Sequence, residues 1–492
     1  MNIIELQQSE TYPKFNRRKR NSAFLDNNKF NESEFFQDIL QTPLEKILNI
    51  LANTLKFLFN SKADEKMIQD LEWVIKKIET NSLYSYDYPL NSPINTNICS
   101  DNMKTFVDYL NYYCEQPLTF QSPKLYKTQI VKNVSELECI KKPHRKNSFV
   151  TLSKNNIDSI DEDKENILNK DFNIFEYEKK VGRYNVLPSI ALIAIKCTKT
   201  IDLINCVNIS AFLESIRNGY KDVNHYHNDL HAADVCQSAL LYLTYNDSQL
   251  TEMTHLKKID LLSLVIASLI HDIGHPGVNN NYLINTRNEL ANTYNDKSVL
   301  ENFHVAEGFR IMNSFNILSR LDTGQLKKFR KRVIECVLST DMVCHMKIYS
   351  IMKNKVISKE INNICDPNIL INVNSNTFFE EQQDVMNFIL HLADISHSSK
   401  SFEISKKWTS FIMEEFWNQG DLEKEKGLQV TFLCDRETID VPRSQIGFIK
   451  GIISPSYDIL TSIVPSLYFL KENIQKNLEE WQNLVNEKIM IV

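Results

Sequence analysis

A run of apolar residues that ends in ionisable side chains restricts the fold of this chain more than any other feature. The segment Leu261 to Ile270 is apolar apart from two serines, and His271, Asp272 and His275 follow it closely. A proline and a glycine come next, so the run predicts a buried helix that stops at these groups. Burying such groups without partners is costly, and a bound cation would pair them. The alternative is that Asp272 caps a neighbouring element and His271 is a satisfied buried histidine.

Glycine and proline are scarce, which favours helices throughout. The 492 residues include only 10 glycines and 13 prolines, too few for the tight turns of a many-stranded β architecture. We therefore predict an all-α protein built around a compact multi-helix domain. The longest apolar runs, 186–195 and 261–270, are about half the roughly 20 residues that a membrane span requires, so we expect no transmembrane segment.

Charge and cysteine usage exclude several classes of protein. The net charge of −6 gives no general attraction to nucleic acid or to anionic membranes, and we expect no nucleic-acid polymer as a partner. The 10 cysteines contain no Cys-x-x-Cys pair, and the N-terminus lacks the apolar stretch of a secretory signal. These features predict reduced thiols and a cytoplasmic protein.

Changes in composition divide the chain into four segments. The first is polar and rich in asparagine, the second has apolar residues at helical spacing in 43–59 and 64–78, and the third is charged and poor in large apolar residues. We predict a disordered tail at 1–40, a helical region of unknown role at 41–140, a charged linker at 141–170 and one large helical domain at 171–492. The two N-terminal helices could form a hairpin, a docking face or a homodimer contact.

Histidines are concentrated in one part of the chain. Seven of the 11 histidines lie between His225 and His304. Among them, His227 and His231 are four residues apart, so on a helix they share a face. Alone, such a pair is more often a surface or core feature than a metal site.

A further candidate ligand is Asp394, which follows the apolar helix predicted over 385–393. Mixed histidine and carboxylate ligands suit Zn²⁺, and a carboxylate with water suits Mg²⁺ or Mn²⁺ at a neighbouring position. Two such ions can hold a bridging hydroxide and polarise a phosphoryl oxygen. The sequence therefore predicts a binuclear centre that acts on phosphate esters.

Several motifs resemble those of one enzyme family. His231, the His271-Asp272 pair and Asp394 resemble the ligand framework of the metal-dependent HD hydrolases. Within that superfamily, residues 172–481 resemble the catalytic domain of class I cyclic-nucleotide phosphodiesterases. The matching strings lie, in one order, at 226–235, 271–277, 294–302, 338–342, 393–397, 413–416, 419–421 and 444–449. So many motifs in one order are specific to the family.

The resemblance implies roles for the matching polar residues. The ligands of a tight Zn²⁺ site would be His231, His271, Asp272 and Asp394, and the bridge to a second ion, Mg²⁺ or Mn²⁺, would be Asp272. His227 would be the general acid that protonates the leaving 3′ oxygen, because an imidazole holds and releases a proton near neutral pH. The residues that would orient metal-bound water are His275, Glu301 and Thr340.

The resemblance also implies a nucleotide pocket. The amide of Gln445 would bind the purine edge, with the base stacked on Phe448 and covered by Ile412. The other positions that would line the pocket are Tyr226, Met342, His397, Trp408, Phe416 and Leu433. Without the resemblance, each apolar residue in this set would be assigned to the core.

The expected reaction is hydrolysis of a 3′,5′-cyclic nucleotide to the 5′-monophosphate by the bridging hydroxide, which terminates cyclic-nucleotide signalling. cAMP is slightly favoured as substrate, although His397 resembles subclasses that accept both cAMP and cGMP. Phe303 and Gly274 depart from the family pattern, in which histidine and aspartate are frequent at these positions. These departures leave the rate and the metal preference open.

Two other functions share part of this pattern. A nucleotidase of the HD superfamily would keep the metal ligands but would not need the segment with Gln445 and Phe448. A non-catalytic cyclic-nucleotide sensor would keep the pocket, whereas here the ligands and the candidate acid are all present. Basic residues precede Ser22 and Ser148, which resemble targets of basophilic protein kinases, and we expect phosphorylation of Ser148 to alter activity.

Overall fold

A computed structural model describes residues 160–245, 250–364 and 382–491, together with 65–79 and a few positions between 51 and 58. The contacts between residues divide the chain into two units, 1–85 and 86–492. The first unit contains helix α1 (Glu65–Glu79), which matches the helix predicted over 64–78. The predicted tail at 1–40, most of the helix at 43–59 and most of the region at 41–140 lie outside the described residues.

In the described residues of the second unit, helices are joined by loops and no strand occurs. Its α-helices are α2 (Ile160–Ile167), α3 (Ile174–Val181), α4 (Val186–Cys197), α5 (Ile209–Gly219), α6 (Asp229–Thr244), α7 (Leu250–Met253), α8 (Lys258–Ile270), α9 (Asn280–Asn285), α10 (Glu289–Tyr294), α11 (Val299–Ser314), α12 (Thr323–Leu338), α13 (His345–Ile364), α14 (Gln382–Asp394), α15 (Phe402–Glu425), α16 (Val441–Phe448), α17 (Ser454–Ile463) and α18 (Tyr468–Ile491). The predicted all-α fold is confirmed. In the part of the chain that is described, no helix combines the length and apolar character of a membrane span.

Helix α2 lies within the segment that the sequence predicted as a linker. It contains few apolar residues, yet Ile167 at its end is fully buried in the core. The side-chain amide of Gln237 donates a hydrogen bond to the carbonyl oxygen of Ile167 at 2.8 Å. The packed part of this unit therefore begins before residue 171, where the sequence placed the domain boundary.

Helix α8 is the buried helix that the apolar run predicted, and it begins three residues earlier. Every residue from Ile259 to Ile270 is buried. Near its N-terminal end, the carboxylate of Asp260 pairs with Lys328 at 2.8 Å and with Arg332 at 2.9 Å. Helix α11 crosses α8 so closely that a Cβ atom at Gly308 would overlap the side chain of Ile270.

Helices α6, α8 and α14 pack against one another and carry the predicted metal ligands. Helix α6 starts after Asn228, whose side chain accepts the backbone N–H groups of Leu230 and His231. That cap places His231 in the first turn. Helix α8 ends just before His271, and α14 ends at Asp394. The ligands therefore meet at one end of the helix bundle.

Candidate active site

Two histidines and two aspartates form a compact cluster at this end of the bundle. Nε2 of His231 lies 3.0 Å from Oδ1 of Asp394 and 3.5 Å from Oδ2 of Asp272. Nε2 of His271 lies 3.3 Å and 3.1 Å from the same two oxygens. One potential ligand atom from each residue lies within 4.8 Å of the others. The structure thus brings together the four residues that the sequence predicted as ligands of the tight metal.

The atoms at the centre of this cluster fit a divalent cation. Nδ1 of His271 lies 2.9 Å from the carbonyl oxygen of Ser268, which orients the ring so that Nε2 is directed into the cluster. That Nε2 atom and Oδ2 of Asp272 are buried and lack the geometry for a hydrogen bond, although they are close together. Histidine nitrogens and carboxylate oxygens are the donors that Zn²⁺ and similar ions take. The residues present therefore fit a metal site.

The charges in the cluster also favour a cation. Burial opposes ionisation of both aspartates, but the charge of His271 and the contacts with the other neighbouring histidines together hold the pKa of Asp272 and of Asp394 below the usual carboxylate range. Burial likewise opposes the charged form of His271, whereas the two carboxylates raise its pKa well above the ordinary value. The pair of carboxylates thus requires positive charge beside it, which a bound divalent ion supplies.

A second histidine–carboxylate pair lies beside the metal cluster. Oε1 of Glu415, on α15, contacts Nδ1 of His227, and Oε2 accepts the backbone N–H groups of Tyr226 and His227 at 3.0 and 3.1 Å. Burial would lower the pKa of His227, but the carboxylate of Glu415 outweighs it and raises that pKa to about 9. Burial would raise the pKa of Glu415, but His227 instead lowers it to about 2. The ring of His227 is therefore protonated at neutral pH, and 20% of its side chain is exposed.

No role was predicted for Glu415 from the sequence, although this residue lies inside the matching string 413–416. One feature of the sequence could have indicated that Glu415 faces the cavity. It lies three residues after Ile412, a predicted pocket residue, and side chains three apart lie on one face of a helix. Both line the same cavity. The sequence alone does not say which of two adjacent glutamates, Glu414 or Glu415, faces His227.

Two more histidines line the cavity. The ring of His275 stacks on that of His227 with centroids 4.0 Å apart, and its Nδ1 accepts the N–H of Gly277 at 3.0 Å. The amide of Asn224 donates to the carbonyl oxygens of His227 and His275 at 2.9 and 2.8 Å, so it ties their two loops together. Burial lowers the pKa of His275 well below its ordinary value and that of His304 to about 4. Both rings are neutral at neutral pH. His275 was a predicted site residue, whereas Asn224 and His304 were not.

Glu301 and Asp341 form an acidic wall of the cavity, next to Thr340. Of these three residues, Glu301 and Thr340 were predicted site residues. The amide of Asn280 donates to both carboxylate oxygens of Glu301, at 3.0 and 3.3 Å. Burial and then the charge of Asp341 raise the pKa of Glu301 to about 8. Thr340 lines the same cavity, but its hydroxyl donates to a backbone carbonyl in the preceding turn at 2.8 Å.

Most of these groups, including Asp272 and Asp394, line one cavity of about 300 Å³, whereas His231, His271 and Asn224 do not line it. The predicted pocket residues that line it are Tyr226, Met342, His397, Ile412, Phe416, Leu433, Gln445 and Phe448. Trp408 does not line it. Its side chain is 1% exposed and packs against the rings of Phe175 and Tyr226, with centroids 5.1 and 5.4 Å away. Trp408 therefore supports the wall from behind, which corrects its predicted position in the pocket.

Gln445 and His397 are polar residues that line the cavity near the aromatic ring of Phe448. The Oε1 atom of Gln445 lies 3.4 Å from the hydroxyl of Thr409. The ring of His397 is nearly parallel to that of Phe448, with centroids 6.2 Å apart, and neither of its nitrogens has a hydrogen-bond partner among the described residues. Burial lowers the pKa of His397 to about 3, so the ring is neutral. An amide, a neutral imidazole and an aromatic face together suit a flat heteroaromatic base.

Known proteins of similar sequence belong to one family. Residues 226–474 match the family described as 3′5′-cyclic nucleotide phosphodiesterase. The chain is 37% identical over 282 residues to a probable 3′,5′-cyclic-AMP phosphodiesterase of Caenorhabditis elegans, a match that covers 56% of this chain and 40% of that protein. It is 38% identical over 261 residues to a dual specificity calcium/calmodulin-dependent 3′,5′-cyclic nucleotide phosphodiesterase of Mus musculus, which covers 52% and 44% of the two chains. The chain thus spans less than half the length of these curated relatives.

Solved structures agree with the sequence comparison. The phosphodiesterase domain of Salpingoeca rosetta rhodopsin phosphodiesterase is 29% identical, with a TM-score of 0.56, and the match covers 66% of this chain and 94% of that domain. The family match, residues 226–474, takes in just over half of the 492 residues and includes every predicted metal ligand. This chain belongs to the 3′5′-cyclic nucleotide phosphodiesterase family.

Proposed function

We propose that this chain hydrolyses 3′,5′-cyclic nucleotides to 5′-monophosphates and thereby terminates cyclic-nucleotide signalling. The observation that carries the proposal is that Asp272 and Asp394 of the metal cluster, the His227–Glu415 pair and the Gln445–Phe448 wall line one cavity. A cyclic nucleotide needs a charged site for its phosphate and a flat site for its base within the length of one molecule. The names of the two relatives support the proposal, since one specifies cyclic AMP and the other dual specificity for cyclic nucleotides.

The proposal includes two divalent ions. The residues that would hold a tight Zn²⁺ are His231, His271, Asp272 and Asp394, and Asp272 would also contact Mg²⁺ or Mn²⁺. The acidic wall formed by Glu301 and Asp341 supports a second, mainly hydrated ion, because such ions prefer oxygen ligands and retain water. When bound, a pair of ions supplies a nucleophile at neutral pH and neutralises negative charge on the phosphate.

In this proposal His227 donates the proton to the leaving 3′ oxygen. Glu415 holds Nδ1, so the other ring nitrogen is free to carry a proton toward the substrate. The pKa of about 9 keeps the ring protonated at neutral pH. A positioned general acid contributes about 10²–10⁴ in rate. Asn224 would hold the loop of His227 in place through its backbone carbonyl.

The base would lie between Phe448 and Ile412, with its edge at Gln445. The hydroxyl of Thr409 next to Gln445 can donate or accept a hydrogen bond, so it supports either orientation of the amide. An amide that presents its oxygen and nitrogen in either order matches adenine in one orientation and guanine in the other. We therefore propose use of both cyclic nucleotides, with cAMP slightly preferred.

Turnover by purified variants tests this proposal. With Mg²⁺ present, the wild type should convert cAMP and cGMP to the 5′-monophosphates, Asp394→Ala should lose turnover, and Gln445→Ala should bind substrate more weakly. His255→Ala is the matched control, because His255 is exposed and is not part of the cavity. A folded, metal-replete wild type that converts neither nucleotide would refute the proposal. In that case, binding without turnover would indicate a sensor, and hydrolysis of 5′-monophosphates a nucleotidase.

We further propose a cytoplasmic location, phosphorylation of Ser22 or Ser148 by a basophilic kinase, and a homodimer contact in the first unit. The cysteines among the described residues are free, which supports a reducing compartment. The amphipathic pattern of α1 supports a docking or dimer surface in the first unit. Ser22 and Ser148 lie outside the described residues, so their support is the basic sequence before them.

A further inference from the structure

A second group of metal-binding side chains lies beside the cluster described above. His227, His275 and Glu415 each present a potential ligand atom, and these atoms lie within 4.8 Å of one another. Nδ1 of His275 is 3.7 Å from Oε1 of Glu415, and the same oxygen contacts Nδ1 of His227. Two imidazoles, one carboxylate and an open fourth position make a donor set that binds Zn²⁺ in many proteins.

We propose that His227, His275 and Glu415 form an inhibitory metal site, which binds Zn²⁺ or Cu²⁺ and prevents His227 from acting as an acid. The binding follows from the donor set, whereas the inhibition rests on the proposed function. Imidazole ligands favour Zn²⁺ and Cu²⁺, and Mg²⁺ prefers oxygen ligands. Mg²⁺ at the concentrations that support turnover therefore does not fill this site.

Metal binding requires both imidazole rings to move, because they are stacked and nearly parallel. In a tetrahedral site with metal–ligand bonds of about 2.0–2.1 Å, neighbouring donor atoms are about 3.3 Å apart. The distance of 3.7 Å between His275 and Glu415 is close to this value. The contact between Glu415 and His227 is shorter than this and must open. The His227 ring can do so by rotating, since 20% of its side chain is exposed.

Three existing hydrogen bonds affect how a metal would bind at this site. Nδ1 of His275 accepts the N–H of Gly277, so His275 either gives up this bond or offers Nε2 after a ring flip. Oε2 of Glu415 accepts two backbone N–H groups and can keep both, because the metal needs only Oε1. The carboxylate is thus already held in place for a metal, and the main cost of binding falls on the two rings.

A metal at this site replaces a proton. In the metal-free pair a proton lies between Nδ1 of His227 and Glu415, and a cation that coordinates Nδ1 releases that proton to solvent. The ring then cannot carry protons on both nitrogens. The remaining N–H of a metal-bound imidazole is a weaker acid than that of an imidazolium, so the leaving oxygen receives its proton less readily. The bound metal also lies in the cavity that the substrate would enter.

Zinc content gives a test that does not depend on turnover. Wild type, His275→Ala, Glu415→Gln and the control His255→Ala are dialysed against Zn²⁺ in millimolar Mg²⁺, and bound zinc is then measured. We expect one equivalent less zinc in His275→Ala and in Glu415→Gln than in wild type and His255→Ala. Circular dichroism checks that each variant is folded. Equal zinc content in all four proteins would overturn the proposed site.

Kinetics with added zinc test the inhibition. Zn²⁺ added to the Mg²⁺-loaded wild type should lower kcat by about 100-fold or more, the contribution of a general acid, and a chelator should reverse the loss. Any turnover that remains in His275→Ala should resist zinc. Zinc binding without a fall in kcat would overturn the inhibition. If no protein turns over cyclic nucleotides in Mg²⁺ alone, the proposed function fails, and the difference in zinc content still decides whether the site exists.

Discussion

Glu415 fixes His227 with both of its carboxylate oxygens. Oε1 contacts Nδ1 of the ring, and Oε2 accepts the backbone N–H of His227 at 3.1 Å. One side chain, 188 residues away in the sequence, therefore sets both the position of the ring and its charge. The substitution Glu415→Gln separates the effect on position from the effect on charge, because glutamine keeps an oxygen that accepts N–H groups but carries no charge.

The first prediction concerns Glu415→Gln and the pH dependence of turnover. In the wild type the pKa of His227 is raised to about 9. Without the charge of Glu415 we expect that pKa to return to its ordinary value or below, a fall of at least about two units. A general acid must be protonated, so activity is lost as the pH rises through this pKa. The high-pH limb of kcat/KM should therefore move down in the variant.

The matched control for this prediction is Glu414→Gln. Glu414 is the adjacent residue, and its carboxylate lies 3.9 Å from Arg436 at the surface rather than beside His227. Its removal should leave both limbs of the pH profile unchanged. If Glu415→Gln lowers the rate equally at every pH, the high-pH limb does not report the ionisation of His227.

The second prediction concerns the effect of metal on stability. Burial of His271 and Asp272 without a cation leaves unmatched polar atoms, and metal binding to the folded state stabilises it by mass action. At about 1,000 times the dissociation constant this contributes about 4 kcal/mol. A chelator should therefore lower the unfolding midpoint in calorimetry by roughly 5 °C or more, and added Zn²⁺ should restore it. The midpoint of His271→Ala should respond less than that of the wild type, because the variant lacks one ligand of the tight site, and an unresponsive wild type would contradict the site.

The third prediction concerns the buried carboxylate of Asp260 at the start of α8. Asp260→Ala leaves the charges of Lys328 and Arg332 without their partner, and we expect the free energy of unfolding to fall by about 3 kcal/mol. This loss of stability is at the low end of the range for buried ion pairs, because the side chain of Lys328 is 37% exposed and its charge can return to water. The control is Asp202→Ala, which removes an exposed partner of Lys258 and should change nothing measurable. Chemical denaturation of both variants measures the difference.

Local sequence patterns predicted the fold class because helices depend on local features. Scarce glycine and proline, together with apolar spacing, indicated helices, and the run at 261–270 became the buried part of α8. The same reasoning treated 141–170 as a linker, because charged residues dominate it. Ile167 is buried there through contacts with residues far along the chain, and composition does not record such contacts.

The site residues that were predicted from the sequence are those that lie in recognisable motifs. His231, His271 and Asp394 came from matching strings, and the structure brings their side chains together. Glu415 was missed because its role depends on which face of α15 meets a loop 188 residues earlier. Trp408 was placed in the pocket because it matches a pocket-lining position of the family, and only packing shows that its side chain is buried behind the wall.

The fourth prediction concerns Thr409→Val, which removes the hydroxyl next to Gln445 with little change in shape. That hydroxyl can donate or accept, so it steadies the amide without selecting one orientation. We expect KM to rise about fivefold for both cAMP and cGMP, the effect of losing about 1 kcal/mol. The ratio of the two kcat/KM values should stay within about threefold of the wild type, because both nucleotides lose the same support. The control is Thr461→Val, a buried threonine whose hydroxyl donates to a carbonyl of its own helix at 2.8 Å. Selective loss of one nucleotide in Thr409→Val would mean that the hydroxyl locks the amide in one orientation, and the proposal of dual use would then fail.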